Sequence, residues 1–159
     1  MLEVRPACAS DEVPLRELDQ ATWTTLSSPA PAPPPGRPFF GSQCRLENVL
    51  VAVLDGEVSG YVTLGRATEL RASDHVVHVL GLAVAEAAQG RGVGRALVHA
   101  AAAEARARGA RRLTLRVLGH NTRARHLYER CGFVVEGILK GEFVLDGRDV
   151  DDVLMALAL

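Results

Sequence analysis

The sequence predicts an α/β fold in a single domain, with a mixed, mostly antiparallel central sheet flanked by helices. Three observations carry this expectation. Apolar runs of strand length recur along the chain, and several of them alternate apolar and polar residues. Two of the joints between them are Asp-Gly pairs, Asp55-Gly56 and Asp146-Gly147, a strong two-residue hairpin signal. In the second half, segments of helical periodicity alternate with the strands.

The elements follow in order. Leu2 to Arg5 reads as a short strand stopped by Pro6, and Ser10 as the cap of a helix over Asp11 to Gln20. Leu15 and Leu18 give that helix an apolar stripe, and Pro14 is tolerated near its start. Thr22 to Arg37 contains five prolines and Gly36, so it cannot hold a helix interior and reads as an extended, solvent-facing loop. Two uses of the loop stay open. One is a surface insertion, and the other is a specificity loop beside a site, with Trp23, Phe39 and Phe40 as apolar walls.

Asn48 to Leu54 and Val58 to Arg66 form a hairpin about Asp55-Gly56, and Ala67 to Asp74 is a polar connection. Val76 to Val84 completes a meander, with His75 and His78 near its start. A helix from Gly92 to Arg108 places Leu97, Ala101 and Ala105 on one face and ends at Gly109, and its alanines allow close approach to a sheet. Arg112 to Leu118 is a strand, and Asn121 caps a helix over Thr122 to Cys131 that Gly132 terminates. The last hairpin pairs Phe133 to Leu145, interrupted near Gly137 and Gly141, with Val150 to Leu157.

Composition excludes several classes. With 159 residues the chain suits one domain with a core of its own, and 48% apolar with 23% charged residues is a globular composition. No apolar run reaches the roughly 18 residues of a membrane span, and the N-terminus lacks a basic segment followed by an apolar core, so a cytoplasmic location is expected. Cys8, Cys44 and Cys131 are odd in number and widely spaced, against a disulfide framework. No His/Cys/Asp cluster has metal-ligand spacing, so no metal is expected. The net charge is −1 and no lysine-arginine tract is present, so nucleic acid is not an expected partner.

The chemistry concentrates in Leu82 to Gly94, LAVAEAAQGRGVG. The end of a buried strand meets Gly90, Gly92 and Gly94, and a helix then starts with no Ser, Thr, Asp or Asn directly before it. The first-turn amides of that helix, with Arg91 and Arg95 alongside, suit a phosphate. The segment lacks the lysine and hydroxyl of a Walker A loop, and it does not fit the dinucleotide fingerprint.

What it does match is Gln-x-x-Gly-x-Gly, as Gln89, Gly92 and Gly94. A second segment, Asn121 to Phe133, matches Asn-x-x-Ala-x-x-Leu-Tyr-Glu-x-x-Gly-Phe as Asn121, Ala124, Leu127, Tyr128, Glu129, Gly132 and Phe133. With this pair of motifs, one helix and one strand apart, the chain resembles the Gcn5-related N-acetyltransferase (GNAT) family. The resemblance implies a GNAT-like fold and acetyl-CoA as cosubstrate. It also implies an N-acetyltransferase that moves the acetyl group to a primary amine of a small molecule or a peptide N-terminus.

By the same resemblance, Leu82, Ala83 and Val84 follow the pantetheine arm, while Gln89, Gly90, Arg91, Gly92, Val93, Gly94 and Arg95 hold the pyrophosphate. Asn121, Ala124 and Tyr128 complete the cofactor site from the second motif. Tyr128 stands where the family has its general acid, suited to protonate the leaving thiolate. His78 occupies the strand position at which many relatives carry a glutamate base, with His75 and Glu142 as weaker candidates. Asp146, Asp149, Asp151 and Asp152 cluster at the last hairpin, where they would favour an amine. Relatives often dimerise, so a homodimer is within what the resemblance allows. The alternative is a non-catalytic CoA-binding or interaction protein with the same fold.

Overall fold

The computed structural model describes residues 1–159. Its strands and α-helices are, in chain order, β1 (Leu2–Pro6), α1 (Glu12–Thr22), β2 (Val49–Leu54), β3 (Glu57–Gly65), β4 (Val76–Val84), α2 (Val93–Ala107), β5 (Arg112–Leu118), α3 (Thr122–Arg130), β6 (Val134–Leu145) and β7 (Arg148–Ala158). All seven strands lie in one sheet, ordered β1-β2-β3-β4-β5-β7-β6. Every neighbouring pair is antiparallel except β4 with β5, which is the mixed, mostly antiparallel sheet expected of a GNAT-like fold.

Both Asp-Gly pairs turn hairpins. Asp55 and Gly56 have φ of 54° and 88°, and Asp146 and Gly147 of 51° and 73°. Two successive positive φ values give a turn whose twist matches the flanking strands. Strand β7 starts two residues before the expected Val150, because the tight turn lets pairing begin at Arg148 opposite Leu145. The expected interruption of β6 is present as register shifts between Val135 and Gly137 and between Leu139 and Phe143.

The core follows from alternation. Leu50 and Ala52 point to the face covered by α2, where Leu97, Ala101 and Ala105 are fully buried, and Val49 and Val51 point to the face covered by α1. Helix α2 sits close because β3 carries Gly60 beneath it. A Cβ there would lie 2.9 Å from the Ala83 carbonyl and 3.0 Å from the Val93 and Leu97 side chains.

The start of α1 differs from expectation. Its entry is organised by Asp11 rather than by Ser10: a 3₁₀ turn over Ala9–Asp11 leads into the helix, and the Asp11 carboxylate accepts the Cys8 amide at 2.8 Å. The same carboxylate receives the Arg5 guanidinium in a two-pronged pair of 2.7 and 2.9 Å. A serine hydroxyl cannot match that fork, which is why the anchor is a carboxylate. Arg5 holds the Asp11 carboxyl at about 2, well below its ordinary value.

A depressed carboxyl pKa stabilises the fold above the unfolded-state value, and the contribution is lost as pH falls through the folded-state value. The stability advantage of the wild type over D11N should therefore be full above about pH 5 and shrink by about 2 kcal/mol by about pH 2, measured by urea unfolding.

Candidate functional site

The site begins where β4 and β5 part. They pair over only three positions, Val76 with Arg112, Val77 with Leu113 and His78 with Thr114. Beyond them β5 continues along β7 and β4 along β3, which leaves a wedge-shaped gap in the sheet. Leu80 is an extra residue in β4, since Gly81 pairs with Thr63 and Val79 with Leu64, and the bulge bends the strand at the mouth of the gap.

Strand alternation then aims the backbone. The Ala85 amide donates to the Ser59 carbonyl across to β3, so Ala83 also faces β3 while Leu82 and Val84 present their backbone groups to the gap. The Val84 carbonyl accepts the Gln89 side-chain amide at 3.3 Å, which ties the strand to the glycine turn.

Helix α2 points its start at the same gap. Gly92 is its N-cap at φ 84° with no side chain capping it, and the Ala96 amide is the first to reach back, to the Gly92 carbonyl. The amides of Gly92, Val93, Gly94 and Arg95 consequently have no acceptor within the protein. A Cβ at Gly90 or Gly92 would meet no protein atom within 4 Å, so these backbones border open space. Gly94 serves a different purpose. A Cβ there would sit 3.0 Å from Leu127, so glycine lets α3 close against α2.

Together these elements line a groove of about 1640 Å³ that runs from α2 and α3, past β4, to α1 and the 22–45 loop. At its α2/α3 end stand Arg95, Arg123 and Arg130. None of the three pairs with a carboxylate, and Arg123 donates to the Gln89 side chain. Asn121 accepts the Ala124 amide at 3.2 Å, so it caps α3 and faces the groove at once.

Of the residues assigned to the cofactor site and the two leading catalytic candidates, all line this groove except Arg91, Tyr128 and His78. The Arg91 guanidinium donates to Asp55 at 2.9 Å, at the tip of the first hairpin. Tyr128 is 8% exposed and packs at 5.7 Å from the Phe133 ring, on the helix face it shares with Asn121 and Ala124. Its hydroxyl has no partner in the protein yet is not sealed from solvent, and burial pushes its pKa up to about 12.

His78 lies elsewhere. Its neighbours Val77 and Val79 belong to the α2 core, so the imidazole projects from the other face, where Nδ1 meets the Thr114 hydroxyl at 2.8 Å. It lines a separate cavity of about 470 Å³ with Arg112, Arg116 and Glu136, and only Leu80 borders both spaces. Burial, then the Arg116 charge, holds the imidazole below its ordinary pKa.

The acidic cluster of the last hairpin also turns away from the groove. Asp151 pairs with Lys140, buried Asp152 pairs with Arg116, and Asp146 accepts the Thr25 hydroxyl. Glu142 does not line the groove either.

The loop runs along the groove. Trp23, Phe39 and Phe40 all line the groove, and Glu12 pins the end of the loop by accepting the Phe39 and Phe40 amides at 2.7 and 3.0 Å. Asp19 and Tyr61, joined by a hydrogen bond from the tyrosine hydroxyl, also line it and were not picked out from the sequence. The available signal was Asp19 lying on the apolar stripe of α1, next to Leu18 and four residues after Leu15.

A split β4–β5 pair facing an uncapped helix start is an arrangement suited to an extended, anionic ligand lying along a strand edge. A sequence profile of the Acetyltransferase (GNAT) family matches residues 14–133, and the chain belongs to that family. Over 57 residues it is 54% identical to the mycothiol acetyltransferase of Beutenbergia cavernae, a match covering 36% of this chain and 18% of that protein. Over 87 residues it is 38% identical to the 5-NmdU N-acetyltransferase of Pseudomonas phage PaMx11, covering 55% and 57% of the two chains. The chain thus matches less than two thirds of the length of either relative. The fold is shared with a GNAT superfamily phosphinothricin acetyltransferase of Sinorhizobium meliloti solved in complex with acetyl-CoA. That likeness has a TM-score of 0.84 at 21% identity and covers 99% of this chain and 88% of the other.

Proposed function

We propose that the chain is an N-acetyltransferase that takes the acetyl group of acetyl-CoA and gives it to a primary amine. The observation that carries this reading is the run of unpaired amides over residues 92–95, set against the edge of β4 at Leu82 and Val84, which β5 leaves unpaired. A pyrophosphate needs clustered donors with room for close approach, and an amide-bearing pantetheine arm needs a strand edge. The residues fit such a ligand at both ends, and the unneutralised Arg95, Arg123 and Arg130 add charge where further phosphate would lie. The two relatives named above are acetyltransferases, and the Sinorhizobium enzyme is one that holds acetyl-CoA.

When bound, acetyl-CoA supplies an acetyl thioester. In the overall exchange the amine nitrogen forms a bond to the acetyl carbon, the carbon–sulfur bond breaks, the sulfur gains one proton and the nitrogen loses one. Tyr128 Oη is the donor this reading assigns to the sulfur. The Leu82 and Val84 backbone orients the ligand, and the apolar loop end around Phe39 and Phe40 limits water.

The test is acetyl-CoA with a panel of small amines and short peptides, following thiol release and product mass. Tight acetyl-CoA binding with no acetylated product would favour the non-catalytic CoA-binding alternative. His78 borders the groove only across Leu80, so H78A is expected to stay within about threefold of wild-type turnover, against the roughly 10²–10⁴-fold loss of a removed general base. A rate profile against pH, measured on both proteins, checks this.

A further inference from the structure

We propose that Asp19 selects the acceptor, its carboxylate receiving the ammonium of a singly charged amine whose apolar body packs against Phe39, Phe40 and Tyr61. The inference rests on the acetyl-transfer reading for which end of the groove takes the acceptor. With the phosphate-binding features at α2 and α3, the amine must enter from the α1 and loop end.

The charge distribution of the groove is lopsided. Five arginines line it, Arg16, Arg37, Arg95, Arg123 and Arg130, and none is in a salt bridge. Asp19 is the only carboxylate residue along its whole length. It too has no basic partner, and its one side-chain hydrogen bond is from the Tyr61 hydroxyl, which donates to Oδ1. Tyr61 is 7% exposed, and burial beside Asp19 pushes its pKa far upward, so the phenol stays a donor and fixes the carboxylate in place.

The surroundings are aromatic. The Phe39 ring stands edge-on to Tyr61 at 4.9 Å and to Phe40 at 5.3 Å. This corner is also next to the cofactor strand. Tyr61 pairs with Ala83 on β4, and its ring lies 4.0 Å from where a Gly81 Cβ would be. An ammonium on Asp19 would therefore sit one strand from the backbone edge that Leu82 and Val84 present to the gap.

One carboxylate among aromatic rings suits one positive charge with an apolar neighbour. Arg16 and Arg37, the arginines of the α1 and loop end, have no carboxylate partner and disfavour a second or third charge on the same molecule. The acceptor class is accordingly a hydrophobic monoamine, to the exclusion of polyamines and basic peptides.

The probes are 2-phenylethylamine, its neutral analogue 2-phenylethanol, and spermidine, titrated calorimetrically into the full chain with and without CoA. Wild type should bind 2-phenylethylamine at least about tenfold more tightly than either of the others. D19N keeps the shape and an acceptor for Tyr61, and should weaken the amine by roughly 10- to 100-fold while leaving 2-phenylethanol and CoA unchanged. D19E, which restores the charge, should recover part of the loss, and thermal melts confirm that each variant is folded. Amine affinity equal in D19N and wild type, no amine binding by wild type, or a preference for spermidine would each overturn the assignment. Because these are binding measurements, a wild type that binds 2-phenylethylamine as described but never acetylates an amine would count against acetyl transfer and leave Asp19 standing.

Discussion

Y128F is expected to lower the rate of acetyl transfer by roughly 10²–10⁴-fold, the usual worth of a positioned proton donor, with acetyl-CoA affinity unchanged. The substitution removes a single oxygen. That oxygen has no partner within the protein, so its loss leaves no buried group stranded, and stability should change by less than about 1 kcal/mol. The ring remains against Phe133, in the core that α2 and α3 share. Burial lifts the phenol to about 12, so the hydroxyl carries its proton throughout the neutral range. The same desolvation raises the pKa of any thiolate that forms beside it, which keeps donor and acceptor closer than their values in water suggest. Thiol release measures the rate and calorimetric titration the affinity. Turnover within threefold of wild type, with the best amine found, would remove Tyr128 from the chemistry.

Local chemistry made much of the fold legible. The two Asp-Gly turns, the Gly109 and Gly132 stops and the Asn121 cap each act within a few residues, so the sequence pattern and the observed elements agree closely there. The α2/α3 end of the groove is similarly local. Gln89 to Arg95 and Asn121 to Ala124 are contiguous segments, and backbone conformation, which glycine placement signals, sets most of their geometry.

The α1 and loop end of the groove depends on contacts between distant residues. Asp19 and Tyr61 are 42 positions apart and meet only because α1 crosses β3, while Glu12 holds Phe39 and Phe40 from 27 and 28 residues away. No spacing rule reaches across such distances. His78 illustrates the complementary case. It lies on β4 as expected, but the direction of a strand side chain depends on parity, and the Leu80 bulge shifts that parity between His78 and Leu82 of the same strand. A polar residue two positions before a bulge shares no face with the residues two positions after it by counting alone. The acidic hairpin was misleading for another reason: Asp151 and Asp152 are neutralised by Lys140 and Arg116, and pairing of that kind is invisible until β5, β6 and β7 are side by side.

G92V should raise the acetyl-CoA dissociation constant by roughly 10- to 100-fold, since losing one amide contact to a charged phosphate costs about 1.5–3 kcal/mol. Gly92 is where the chain reverses into α2, at φ 84°, a conformation that β-branched residues resist. Relaxing that strain would rotate the neighbouring amides away from their common focus, and a side chain that stayed would project into the space the phosphates need, since no protein atom lies within 4 Å of the Cβ position. Strain alone should also destabilise the fold by about 1–2 kcal/mol, and it must be separated from the binding effect. Gly109 provides the comparison. It has nearly the same φ, 83°, and equally open surroundings, but it lies past the far end of α2, outside the groove. G109V should therefore lose similar stability while binding acetyl-CoA like the wild type. If both variants lost affinity alike, the defect would be one of folding and the amides of residues 92–95 would not be the phosphate site. A loss confined to G92V ties the donor to the start of that helix.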